Sequence, residues 1–187
     1  MNSNFFDNLE IRTSDEREAD HLLKFNKLLE VAKTNRLLKN RIKGKINSLS
    51  DIKKIEILRK SDLIQKQRNH PPFANLNAKP YNNFAHIYRS PGPIYDLDGR
   101  KENWWRFARA LHAANFKQGD IIQNCFSYHF TPAGLMFEEA AKIQKCTVFP
   151  AGGENTDAQI EIMSELKSTC YVGIPDFLRI LLEKAEE

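Results

Sequence analysis

Three short stretches and one residue pair hold residue types that could do chemistry. In FSYHFTPAG (Phe126–Gly134), His129 lies between Tyr128 and Phe130, just ahead of a helix start at Thr131-Pro132. An aromatic wall with one titratable group suits an apolar acid or ring. The same aromatics could equally pack a sheet edge. In AGGENTDAQ (Ala151–Gln159), Gly152 and Gly153 lead into a helix with Asn155 or Thr156 as cap. Backbone N–H groups there could hold an anion, although a tight strand-to-helix turn needs the same glycines. RSPGP (Arg89–Pro93) follows a strand and invites comparison with a phosphate loop. Such a loop aims several N–H groups at oxyanions. Here two of five positions are prolines, leaving Ser90 and Gly92 as the useful residues, and the composition favours a rigid turn. Cys125 with His129 would be a nucleophile and base, but no orienting carboxylate is identifiable, and a thiol on a strand is usually buried. No G-x-S-x-G, H-E-x-x-H or G-x-x-x-x-G-K-[ST] occurs.

The elements that must position these residues centre on Ile121–Gly153. Ile121–Phe126 is a short apolar run, Met136, Ala140 and Ile143 recur at helical spacing, and Cys146–Phe149 is a second apolar run before the glycine turn. That pattern predicts a βαβ unit with parallel strands. Ligands of open parallel sheets bind beyond the carboxyl ends of the strands, where Ser127–Thr131 and Pro150–Asn155 lie. A helix from Asn155 or Thr156 to about Leu166 follows, with Ile160 and Met163 on its buried face. A strand over Thr169–Ile174 and a helix from Pro175 complete the order β-α-β-α-β-α.

Upstream, residues 1–12 read as loosely docked. A helix capped by Thr13 or Ser14 presents Leu22, Phe25, Leu29 and Ala32 on one face. A basic helical piece, Asn35–Lys43, ends at Gly44, a further helical pattern starts at Ser50 or Asp51, and Ser61 caps a last turn or two before Pro71-Pro72. Residues 71–83 are a linker-like run of Pro and Asn. Phe84–Tyr88 is then a strand, Ile94-Tyr95 pairs back, and a helix spans Glu102–Phe116 with Trp104, Ala108 and Leu111 facing one way. The expectation is an α/β fold: a partial parallel sheet with βαβ crossovers, preceded by a helical N-terminal segment. It divides into a helical segment 1–70, the linker-like stretch 71–83 and an incomplete α/β subdomain 84–187.

A chain of 187 residues suits one domain. No apolar run approaches the roughly 20 residues of a membrane helix, and the N-terminus lacks a signal-peptide pattern, so a cytoplasmic protein without membrane contact is expected. Net charge is +4, with 16 Lys+Arg against 10 Asp+Glu in residues 1–70. The acidic residues are interspersed, which describes a solvated helical surface better than a nucleic-acid interface. The three cysteines, Cys125, Cys146 and Cys170, each fall on a predicted strand as small buried hydrophobes, without a C-x-x-C or a metal-ligand pattern.

From about Arg12 onward the chain resembles the N-terminal portion of phenylacetate–CoA ligase-like proteins, in the adenylate-forming acyl/aryl-CoA ligase superfamily. The matching segments are RKSDLIQKQ, SPGPIYDLDGR, WWRFARALHAANFKQGD, NCFSYHFTPAG, CTVFPAGGENTDAQIEIM and YVGIPDFLRILLEKA. The resemblance implies activation of a carboxylic acid with ATP and Mg2+ to an acyl-adenylate, then a thioester with CoA. It places Tyr128 and His129 in the acid-binding wall, with Gly152, Gly153 and the Gly173–Pro175 turn. Ser90 and Gly92 stand where the family has a Ser/Thr/Gly-rich phosphate loop, and that loop is degenerate here. The family's later motifs are missing, so the chain is expected to be a fragment, inactive alone, whose other half comes from a second chain or a homo-oligomer. The alternative is a non-catalytic binding module that kept the scaffold.

Overall fold

A computed structural model of the chain describes residues 4–35, 38–41, 46–77 and 79–186. It falls into two compact units: Asp7–Leu97 forms one, and Asp98 onward, with the short segment ending at Phe6, forms the other.

In the first unit, helix α1 runs Ser14–Thr34. Thr13 and Glu16 close a capping box on it: the Glu16 N–H donates to Thr13 Oγ1 at 3.2 Å and the Thr13 N–H to Glu16 Oε2 at 2.8 Å. Leu29 is buried on its apolar face, while Leu23, Leu28 and Val31 are exposed. The expected basic helix is represented by a 3-10 turn at Lys39–Arg41, and Gly44 lies outside the described residues. The helical pattern expected from Ser50 or Asp51 is a 3-10 helix, Leu49–Lys54. Asp51 accepts from the N–H groups of Asn47 and Ser48 and pairs with Lys54, whose hydrogen bond leads in holding its carboxyl down to about 2. Helix α2 spans Lys60–Asn69, so Ser61 is inside it and is not the cap. Phe73 and Ala74 in the Pro/Asn-rich stretch are buried, Phe73 against Tyr81 and Tyr95. Strands β1 (Phe84–Ser90) and β2 (Ile94–Gly99) pair as a two-stranded sheet. So short a connection joins antiparallel strands.

The second unit holds the expected α/β layer. Strands β3 (Ile121–Asn124), β4 (Thr147–Pro150) and β5 (Cys170–Val172) form a parallel sheet in the order β4-β3-β5. Ile122 is in register with Val148 on one side and Cys170 on the other. The helices are α3 (Ala108–Ala113), α4 (Ala133–Ile143), α5 (Thr156–Leu166) and α6 (Pro175–Ala185), with Pro175 in the first turn of α6. The core gathers Ala108, Leu111, Ile122, Ala140, Ala141 and Val172. Burying a side chain such as Ile122 contributes about 1.5–3 kcal/mol.

Several local expectations are corrected. Strand β3 ends at Asn124, not Phe126, because the Asn124 side chain takes the Phe126 N–H at 3.2 Å and turns the chain out of the ladder. Cys125 and Cys146 therefore flank strands, and Cys170 alone lies on one. The helix expected over Glu102–Phe116 contracts to α3, since Asn103 (φ 55) and Arg106 (φ 61) adopt left-handed backbone. Trp104 is 42% exposed and lies over Gly99, where a Cβ would come within 2.5 Å of its ring. The strand at Thr169–Ile174 shortens to β5. The N-terminal segment is docked: Phe6 packs on the core with Arg109 5.6 Å above its ring and His112 5.8 Å away.

Candidate functional site

The alternation of β3 sends its side chains to opposite faces. Ile122 and Asn124 serve the α4 side, while Gln123 serves the α5 side. Asn124 is fully buried and organises the carboxyl end of the strand. Its Nδ2 donates to the Gly134 carbonyl at 2.9 Å and to the Tyr128 hydroxyl at 2.8 Å. Its own carbonyl accepts from the N–H groups of Ala151 (3.0 Å) and Gly152 (3.1 Å), drawing the loop after β4 alongside.

Between those loops lies a pocket of about 590 Å³, bounded by Ser127–His129, Glu138 and Pro150–Asn155. Tyr128, His129, Gly152 and Gly153 all line it. Tyr128 is held by the Asn124 side chain at its hydroxyl and by Gly134 against its ring, with the Glu138 carboxylate nearby. Burial first, then the Glu138 carboxylate, pushes its phenol up to about 12. Glu138 is itself paired with Lys142 at 2.6 Å. The His129 imidazole is exposed and has no hydrogen-bond partner among the described residues; its backbone N–H donates to Ser127 Oγ at 3.0 Å. The aromatic wall is divided. Phe126 stacks on Phe137 at 5.1 Å against the core, whereas Phe130 is 77% exposed.

Gly152 has φ +71, a conformation that favours glycine, so the turn needs that residue. Cys125 is no nucleophile in this setting. Its thiol donates to Gln159 Oε1 at 3.1 Å, and burial pushes it up to about 11. Ser90 and Gly92 lie on the β1–β2 turn, in the unit that does not contain the pocket. The Ser90 hydroxyl donates back to the Ile94 carbonyl at 3.4 Å, and a Cβ on Gly92 would meet only ordinary contacts. With two prolines beside them, these residues offer a phosphate few free donors. Among the described residues no group of three or more His, Cys, Asp or Glu side chains could hold a metal ion.

Sequence reading missed Asn124, Gly134, Glu138 and Gln159. A signal was present for the first: Gln123-Asn124 is a polar pair inside an apolar run at the carboxyl end of a strand.

Comparison with known proteins sets this geometry in context. The chain is 26% identical over 152 residues to the phenylacetate–coenzyme A ligase of Aromatoleum evansii, covering 75% of this chain and 32% of that protein. The Thermus thermophilus enzyme of the same name is 27% identical over 143 residues, covering 73% and 31%. The chain is similar in sequence to part of these phenylacetate–CoA ligases. It spans about a third of the length of these curated relatives. No family model matches it. The fold superposes on 2-hydroxyisobutyryl-CoA ligase in an open conformation with 2-HIB-AMP and CoA, with TM-score 0.85 and 18% identity, covering 92% of this chain and 41% of that one. The postadenylation state of the same ligase matches equally, at TM-score 0.85. The ligase-like chain therefore has the fold of part of an adenylate-forming CoA ligase. Among its described residues no helix is long and apolar enough to cross a membrane.

Proposed function

We propose that the pocket between the β3–α4 and β4–α5 loops is the acid-binding site of an acyl- or aryl-CoA ligase-like protein. The observation that carries this is the convergence of Tyr128, His129, Gly152 and Gly153 on one pocket at the carboxyl ends of adjacent parallel strands. The ring of Tyr128 forms the apolar wall. Its hydroxyl accepts from Asn124 and lies close to the Glu138 carboxylate, so a ligand's carboxylate is met by other donors, His129 among them. In the complete ligase-like protein, ATP with Mg2+ supplies the adenylate and CoA the acceptor thiol. We assign this chain the acid pocket, and the thioester step to sequence beyond it, on a second chain or a longer one.

The test is a titration of the 187-residue chain with phenylacetate and longer acyl acids, followed by NMR, beside a pyrophosphate-exchange assay. Acid-dependent shifts at Tyr128 and His129 without exchange are expected. Robust exchange by the chain alone refutes the division of labour, and no shift with any acid refutes the pocket. The engaged hydroxyl and prolines of the β1–β2 turn favour one second reading, a non-catalytic acid-binding module. It predicts no ATP affinity by calorimetry even when the remainder of a ligase is supplied.

A further inference from the structure

Behind the pocket, every hydrogen-bonding position of Gln159 is used. The residue is 2% exposed in the first turns of α5. Its Nε2 donates to the carbonyls of Gly152 at 3.0 Å and Glu154 at 2.7 Å. Its Oε1 accepts from Gln123 Nε2 at 3.1 Å and from the Cys125 thiol at 3.1 Å. A side-chain amide has two N–H donors and two acceptor lone pairs, so none is left over. One side chain thus ties the end of β3 to the glycine turn after β4.

The consequence for the pocket follows from peptide planarity. The peptide units of this turn are trans, so each carbonyl and the following N–H point to opposite edges of one plane. Drawing the Gly152 and Glu154 carbonyls inward onto Gln159 turns the N–H groups of Gly153 and Asn155 away from it. Both residues line the pocket, and neither N–H has an acceptor among the described residues. The lining includes Glu138 and Glu154 but no Lys or Arg. A carboxylate entering it must therefore be met by neutral donors, whose aim is set by the backbone.

We propose that Gln159 is a positioning residue for the acid pocket, holding the glycine turn so that the Gly153 and Asn155 N–H groups donate to the ligand's carboxylate; this rests on the acid-pocket proposal above. The experiment compares phenylacetate with neutral 2-phenylethanol, which keeps the ring and lacks the carboxylate. Both are titrated into the 15N-labelled 187-residue chain and into its Gln159→Met and Gln159→Glu variants. In the unsubstituted chain, phenylacetate should move the Gly153 and Asn155 amide signals downfield, and 2-phenylethanol should not. Both variants should weaken phenylacetate by about tenfold or more, the scale of one hydrogen bond to a charged group. Their affinity for 2-phenylethanol should stay unchanged, because neither substitution alters the ring wall. A residue serving only the fold would weaken both ligands together, and that result overturns the proposal. So does a Gly153 amide that ignores phenylacetate while Tyr128 and His129 respond, an outcome that needs no variant to fold and leaves the acid pocket standing. Silence at all of these positions removes the pocket and the positioning role together.

Discussion

Replacing Gly134 with Ala probes the packing that fixes Tyr128. Gly134 is buried at the second position of α4. A Cβ there would lie 2.8 Å from the Ser127 carbonyl oxygen and 2.8 and 2.9 Å from Cδ2 and Cγ of Tyr128, where ordinary contact begins at 3.4 Å. The nearest of these atoms are backbone and the root of an aromatic ring, so a rotamer change cannot relieve the overlap. Forcing an extra methyl into such a site costs about 1–3 kcal/mol. Displacing the ring also strains the 2.8 Å bond from Asn124, worth about 0.5–1.5 kcal/mol. Better helix propensity returns at most about 1 kcal/mol. The net expectation is a loss of about 1–3 kcal/mol in urea denaturation at unchanged m, with altered Tyr128 ring signals and weaker acid binding. Gly153→Ala is the control. A Cβ there meets only the Cys125 carbonyl at 3.8 Å, so its stability should change by less than about 0.5 kcal/mol. Unchanged stability and an unmoved Tyr128 in Gly134→Ala would refute the close-packing argument.

Other outcomes follow from the same contacts. The phenols of Tyr128 and Tyr171 are each pushed up to about 12, mainly by burial, from an ordinary value near 10. The folded chain keeps protons that the unfolded chain releases, so stability should fall as pH rises from about 10 to about 12, read as Tm against pH with tyrosinate absorbance. Cys125, at about 11 and bonded to Gln159, should resist iodoacetamide at pH 8 until the protein is unfolded by urea, as mass spectrometry would show. Gly152→Ala should cost about 1–2 kcal/mol, since φ +71 strains any residue with a Cβ. Thr13→Ala should lower stability by about 1 kcal/mol through loss of the capping box on α1.

The layout of the α/β layer was legible because its signals are local. Ile121 to Asn124, the apolar positions of α4 and the glycines after Pro150 each carry a period or a turn requirement that neighbouring residues satisfy among themselves. Element ends were less legible, since they depend on competition. Asn124 captures the Phe126 N–H, and Asn103 and Arg106 take left-handed backbone, where spacing alone would continue a strand or a helix. Phe6 was hidden for another reason: its partners Arg109 and His112 lie a hundred residues downstream.

The candidate site divides along the same line. Sequence alone determined that Tyr128 and His129 sit at the carboxyl end of a strand and that Gly152 and Gly153 sit at the end of the next, because strand polarity in a βαβ unit leaves those loops on one edge. Only the tertiary structure decided what holds them. Asn124, Gly134 and Gln159 act through hydrogen bonds and close approaches to residues as far as 36 positions away, such as Gln123 to Gln159. A linear pattern does not specify such distances; the register of β3 between β4 and β5 does.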